Sequence, residues 1–228
     1  MPDVNKVLFL AINAGPEPPA VVLEMARLLA VWAVPAAILL FALLWVRIPD
    51  ARRAALISAT AIMILGLVIN QVISALYVHP RPFMIGLGHQ YLAHRPNNSF
   101  PSDHAVFLWC LAFSLFVLGT LRGWAVLLTA LGLGVAWARV YLGVHFPFDM
   151  AGAFLVALVL SPLASMIELS VLRLVLPRAV ALYEAVLDAT HLPPKLFPRA
   201  PRAAPFADGG PPAGGGPLAG RERPPRRV

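Results

Sequence analysis

The sequence predicts an all-α fold, a polytopic membrane helix bundle of about five transmembrane helices, and three observations carry that expectation. Of 228 residues, 59% are hydrophobic and only 13% charged, with a mean hydropathy of +0.76. That is too few charges to clothe a soluble domain of this size. Five runs free of Asp, Glu, Lys and Arg, at 28–46, 54–77, 105–121, 123–138 and 150–167, approach the roughly 20 residues a helix needs to cross about 30 Å of hydrocarbon. Basic residues fall between alternate runs: Arg47, Arg52 and Arg53 between the first and second, Arg122 between the third and fourth, and nine more Lys or Arg after 167. With five spans all of these lie on one side, which the positive-inside rule makes cytoplasmic.

Taken in order, residues 1–27 mix Lys6, Glu17, Glu24 and Arg27 with apolar residues and are broken at 15–19, so they predict an N-terminal interfacial helical segment. The membrane domain follows over 28–170. Cys110 sits inside the third apolar run, the place of a buried small hydrophobe rather than of a redox or metal group. Residues 171–192 combine Leu, Val and Ala with Arg, Glu and Asp, the composition of an amphipathic surface helix. From 193 to 228 proline, glycine, alanine and arginine dominate, including GGPPAGGGP at 209–217, and this predicts a disordered basic tail on the cytoplasmic side. The net charge of +7 is gathered on that one face and in the tail, so it points to topology and not to nucleic acid.

The two remaining loops face outward and hold the chemistry: HPRPF at 79–83, PSDH at 101–104 and ARVYLGVHFPFD at 138–149. Arginine suits phosphate because its guanidinium donates in a planar fork and stays charged, which makes Arg81 and Arg139 anion-binding candidates. Ser102 and Asp103 stand where a helix would start, so free backbone N–H groups and the helix dipole favour an anion there, with His104 in the first turn. His145 and Asp149 are four apart, and a carboxylate on one imidazole nitrogen leaves the other as a fixed, neutral nucleophile. Pro147 lies between them, so the pairing has to come from the turn into the last span. For His79, His89 and His94 the competing reading is a solvated loop residue or interfacial anchor.

Together these clusters resemble the type 2 phosphatidic acid phosphatases (PAP2), whose three motifs are Lys-x6-Arg-Pro, Pro-Ser-x-His and Ser-Arg-x5-His-x3-Asp. Arg81 and Pro82 match the end of the first, Pro101, Ser102 and His104 the second, and Arg139, His145 and Asp149 the third with its spacing intact. The match covers roughly residues 20–170 and makes 28–170 a PAP2-like transmembrane catalytic domain. Two positions depart: Ser74 replaces the lysine of the first motif and Ala138 the serine of the third. The run RPF followed by SFPSDH is most similar to the bacterial undecaprenyl pyrophosphate phosphatases.

The resemblance implies a lipid phosphatase of the bacterial plasma (inner) membrane, multi-pass and with an extracytoplasmic site. Its substrate would be a lipid phosphate or pyrophosphate, and it would need neither cofactor nor metal. It implies His145 as nucleophile, Asp149 as its partner and His104 as acid and then base. Arg81, Pro82, Ser102, Asp103 and Arg139 would make the phosphate seat. His79, Arg95 and Ser74 are auxiliary candidates, the first two as contacts to a second phosphate that offset the missing lysine. Phosphatidic acid, phosphatidylglycerol phosphate or sphingolipid phosphate remain alternative substrates, as does a transferase built on the same site. From another class, a small anion channel or transporter would use the same residue types, but along a path through the membrane midplane.

Overall fold

The computed structural model describes residues 3–191 together with Pro193 and Phe197. Within them the chain is a helical membrane bundle: α1 (Val4–Ile12), α2 (Ala20–Arg47), α3 (Asp50–Leu76), α4 (Asp103–Val117), α5 (Arg122–Tyr141), α6 (Pro147–Leu160), α7 (Leu163–Ser170) and α8 (Leu176–Thr190). A 3₁₀ turn at Pro82–Ile85 and a π turn at Val171–Val175 complete it, and the described residues contain no strand. The tail expected over 193–228 lies outside the described residues except for Pro193 and Phe197.

The helix boundaries differ from the sequence reading at the N-terminus. Only α1 stands apart there, its start capped by the Asp3 carboxylate, which accepts from the Asn5 amide at 3.1 Å. Residues 20–27, expected in the interfacial segment, instead form the first two turns of α2. The two charges that argued against a span neutralise each other, Arg27 donating to Glu24 at 2.6 Å one turn away. Along α2 the buried positions are small, Ala26, Ala30, Ala33 and Ala37, while Leu28, Trp32, Leu39 and Leu43 point outward. Lipid is as apolar as leucine, so nothing drives large side chains inward, and small residues let helices approach closely. The same device joins α3 to α4, where a Cβ on Gly66 would come within 2.7 Å of the Cys110 sulfur.

The five apolar runs do not become five equal spans. By length and apolarity α2, the 52–76 portion of α3 and α5 can cross a membrane, and α6 taken together with the helical residues 163–190, bent by 44° at the break between them, is long and apolar enough as well. The third run becomes α4, only 15 residues, or about 22 Å at 1.5 Å per residue. It ends at Val117, two residues before Gly119 turns the chain in the left-handed region at φ +67°. A helix this short is tolerated because protein, not lipid, surrounds it: α3, α5 and α6 pack on it, and most of its residues from Ala105 to Leu115 are buried.

Short connections join α2 to α3, α4 to α5 and α5 to α6, and the longer 77–102 segment joins α3 to α4. The start of α4 meets the start of α6, the Ser102 amide donating to the Asp149 carbonyl at 3.3 Å, so the three motifs gather at one end of the bundle, and α1 packs against α5 and α6. At the opposite end Arg53, buried, donates to Asp50 at 2.9 Å and to the Trp45 carbonyl at 2.8 Å. It also lies 5.2 Å and 5.3 Å from the ring centroids of Trp45 and Tyr183, which ties α8 to the start of α3.

Candidate active site

The turn from α5 into α6 fixes the central pair. Gly143 sits at φ +78°, and a Cβ there would meet the His89 carbonyl oxygen at 2.1 Å, so only glycine lets the chain reverse this close to the 77–102 loop. Two residues later His145 is buried, and Pro147 opens α6 at its first position, where a missing N–H costs nothing. Asp149, in that first turn, accepts from the Phe146 amide at 2.8 Å through Oδ2. The same oxygen lies 3.1 Å from His145 Nδ1, so the expected four-residue spacing closes by a helix-capping turn and not within a helix. Ser99 Oγ also donates to Oδ2 and lies 3.4 Å from His145 Nδ1.

On the other nitrogen, Arg81 Nη1 stands 2.9 Å from His145 Nε2. A guanidinium has only donors, so Nε2 must accept and the proton must sit on Nδ1, facing Asp149. The network thereby assigns the tautomer in which Nε2 carries the lone pair. Burial pushes the His145 pKa down to about 3, the Asp149 hydrogen bond opposing it and losing. The ring is therefore neutral at physiological pH.

Arg81 is held from every side: Nε donates to Asn97 Oδ1 at 3.0 Å, Nη1 to the Val144 carbonyl at 2.8 Å and Nη2 to the Asn98 carbonyl at 3.0 Å. Burial lowers its pKa to about 10, with Asp149 and Asp103 opposing, so it stays charged. Pro82, buried beside it, starts the 3₁₀ turn and supplies no donor. Arg139, buried at the end of α5, donates from Nη1 to the Ala30 carbonyl at 3.4 Å and leaves its buried Nε without a partner among the described residues. Ser102 is the N-cap residue of α4, but its buried hydroxyl caps nothing and has no partner among the described residues. His104, in the first turn of α4, is half-buried, and Arg139 and Arg81 bear on its charge as they do on that of His145. The fold thus gathers a lone pair, two guanidiniums and a second imidazole, with Ser102 tied to them by its amide, which donates to the Asp149 carbonyl at 3.3 Å.

Four expected residues are placed differently. Asp103 turns its carboxylate to the amides of Asn70 at 2.6 Å and Gln71 at 2.9 Å, and an anion repels phosphate, so only its backbone N–H remains for the seat. Arg95 is exposed and makes no ion pair with a described residue. Ser74 contributes its carbonyl, which accepts from Asn98 Nδ2 at 2.5 Å. His79 lies with Nδ1 3.3 Å from Asp149 Oδ1 and so faces the carboxylate.

Sequence reading missed Ser99, Asn97 and Asn98, whose polar side chains in the run PNNSF carried no motif of their own. Asn98 is the pin of the loop: Oδ1 accepts from the amides of His79 at 2.5 Å and Ser99 at 3.1 Å, and Nδ2 reaches the carbonyls of Ser74 and Tyr77. His94, set aside as a solvated loop residue, has its ring 6.2 Å from that of His145. Burial lowers its pKa, helped by Arg81 and Arg139, against the Arg95 carbonyl. Among the described residues no group of three His, Cys, Asp or Glu is disposed to hold a metal ion.

The family model of the PAP2 superfamily matches residues 55–169, which contain every element of this pocket. A relative in Escherichia coli (strain K12), named "Putative undecaprenyl-diphosphatase YbjG", is 34% identical over 158 residues, 69% of this chain and 79% of that protein. Undecaprenyl-diphosphatase BcrC of Bacillus subtilis (strain 168) is 27% identical over 185 residues, 81% of this chain and 94% of its own. Bacitracin transport permease protein BcrC of Bacillus licheniformis is 27% identical over 112 residues, covering 49% of this chain and 54% of that one. No solved structure matches.

Proposed function

The chain belongs to the PAP2 superfamily, and from that premise we propose that it hydrolyses undecaprenyl pyrophosphate to undecaprenyl phosphate and inorganic phosphate, recycling a lipid carrier used in cell-wall synthesis. The observation that carries the reading is the neutral His145, its Nδ1 proton on Asp149 and its Nε2 lone pair aimed at Arg81. Nε2 attacks the terminal phosphorus, and the bond from that phosphorus to the bridging oxygen breaks. The electron pair leaves with the lipid phosphate, which takes a proton from His104 in its imidazolium form, the form that the negative charge of the bound pyrophosphate favours. Asp149 stabilises the positive ring of the phosphohistidine. His104 then accepts a proton from water, whose oxygen attacks phosphorus; the P–N bond breaks, and phosphate leaves with His145 neutral again.

In the resting site Arg81 occupies the lone pair that must attack. Incoming phosphate oxygens compete for the same N–H, so transfer of that hydrogen bond from imidazole to substrate frees the nucleophile as it neutralises the electrophile. Arg139 Nε and Ser102 Oγ, buried without partners among the described residues, offer further donors to the equatorial oxygens, where transition-state charge gathers. The polar groups lie at one end of the bundle, where a headgroup meets them while its chain stays in lipid. A transport path would need such groups through the midplane.

Phosphate release from a panel of undecaprenyl pyrophosphate, phosphatidic acid and phosphatidylglycerol phosphate, each with a chelator present, tests the reading. The pyrophosphate should be hydrolysed fastest in every condition. A preference for either phosphatidyl substrate would leave the family intact and remove this substrate.

The site is proposed to face outward in a bacterial plasma membrane, with α8 cytoplasmic. A cysteine replacing the exposed Arg95 should then react with an impermeant maleimide added to intact cells, and one replacing Thr190 should not. The native Cys110 is buried and adds little background. Labelling of both cysteines from the outside would reverse the assignment.

A further inference from the structure

We propose that His79 is a positioning residue of the reaction, a second imidazole on the catalytic carboxylate, and not a contact to substrate. The proposal rests on the reading of His145 and Asp149 given above. It starts from how unequally the two oxygens of Asp149 are served. Oδ2 receives His145 Nδ1 at 3.1 Å, the Phe146 amide at 2.8 Å and the Ser99 hydroxyl. Oδ1 makes no hydrogen bond to a described residue in the resting site, and His79 Nδ1, itself without a hydrogen-bond partner among the described residues, faces it at 3.3 Å. The carboxylate is fully buried, so without that neighbour one of its oxygens would face apolar surroundings with no donor. The contact is long, as catalytic contacts often are before substrate draws a site together.

The position of His79 is built. Its amide donates to Asn98 Oδ1 at 2.5 Å and its carbonyl accepts from the Ser99 amide at 2.8 Å. The residue that fixes Ser99 against Asp149 Oδ2 therefore also fixes His79 against Oδ1. Its ring is stacked on Tyr77 at 5.9 Å and 15°, and tilted on Phe146 at 5.1 Å. Two aromatic faces and a backbone pair leave the imidazole little freedom except to aim Nδ1 at the carboxylate.

A substrate role does not fit the direction. His145 separates its two nitrogens: Nε2 faces Arg81 and the phosphate seat, Nδ1 faces Asp149. His79 approaches Asp149 on the oxygen that His145 does not use. Its other exposure is to a cavity of about 260 Å³ beneath α1, lined also by Asp3, Asn5, Lys6, Pro80, Ile85 and Phe146. Asp3 and Lys6 pair with each other there at 3.5 Å. The imidazole thus spans from this cavity to the back of the catalytic carboxylate. It holds Oδ1 so that Oδ2 stays in line with His145 Nδ1, and it keeps water from taking that place.

The test compares His79→Leu and His79→Asn with wild type on undecaprenyl pyrophosphate, farnesyl pyrophosphate and phosphatidic acid, with selectively ¹⁵N-histidine-labelled protein in micelles. Leucine fills the space without a donor, whereas the asparagine Nδ2 stands close to where the imidazole Nδ1 stood. His79→Leu should lower kcat by about 10–100-fold, the scale on which residues that orient a functional ligand act. KM should stay within about twofold, the loss should be equal on all three substrates, and the Nδ1–H signal of His145 should shift. His79→Asn should recover most of the rate and the signal, and it reports on the role even if the leucine variant does not fold. A rise in KM confined to the two pyrophosphates would make His79 a substrate contact and overturn the proposal, as would an unchanged kcat in both variants. Equal losses across substrates do not depend on which one wild type prefers, so a wrong substrate and a wrong role for His79 give different results.

Discussion

His145→Ala should abolish turnover, by on the order of 10⁶-fold, the scale on which removal of a nucleophile acts in other hydrolases. The acid-sensitive phosphorus label that wild type takes up in a rapid quench should vanish with it. The protein should still fold, because Asp149 keeps the Phe146 amide and the Ser99 hydroxyl, and Arg81 keeps Asn97, Val144 and Asn98, when the imidazole is gone; an unchanged micelle elution volume checks this. The chemistry also fixes the state of the ring. Burial holds the folded-state pKa near 3 against an ordinary 6.5, so between those values the unfolded chain binds a proton that the folded one does not. The contribution of this group to stability is whole above about 6.5 and falls as the pH drops from there through 3. In the native state the ring stays neutral from about pH 5 upward. Its ¹⁵N signals, identified by their loss in His145→Ala, should show protonated Nδ1 and bare Nε2 from pH 5 to 8. A midpoint near 6.5, or a label surviving in the alanine variant, would remove His145 from the nucleophilic role.

Arg81→Ala should lower kcat by about 10²–10³-fold, the usual cost of removing one preorganised donor from developing charge. Arg81→Lys should recover little of it. The guanidinium reaches Asn97, Val144 and Asn98 while still placing an N–H on His145 Nε2. A lysine ammonium is a single point on a flexible stem and cannot hold those anchors together. Loss of Arg81 should also unfix the His145 tautomer, since the donor that obliges Nε2 to accept is gone. Steady-state rates and the same ¹⁵N signals read both effects. A lysine variant with more than half the wild-type rate would mean that charge alone matters at this position, and the resting-state hydrogen bond would lose its proposed part in the mechanism.

Much of the molecule is written in its chemistry along the chain. Long apolar runs must be helices, because lipid satisfies no backbone N–H or C=O and a helix satisfies its own. The arginines and histidines that could not enter lipid had to collect at helix ends. The candidate residues were legible because their types are unusual in so apolar a chain and their spacing follows three motifs, and the fold sets Asp149, Arg81 and Arg139 around His145.

Other features depended on distance across the fold. Residues 20–27 join α2 because Arg27 finds Glu24, a local pairing that composition alone weighs as two charges. The third run is a short helix because α3, α5 and α6 surround it, and burial by neighbours cannot be read from the run itself. Ser99 and Asn98 are ordinary loop residues in sequence, and His79 reads there as a contact to a second phosphate. They come to Asp149 only because the 77–102 loop folds back over the start of α6, 50 residues beyond Ser99. A hydrogen bond is decided to within a few tenths of an ångström, and only the packed backbone sets which oxygen of Asp149 each donor can reach.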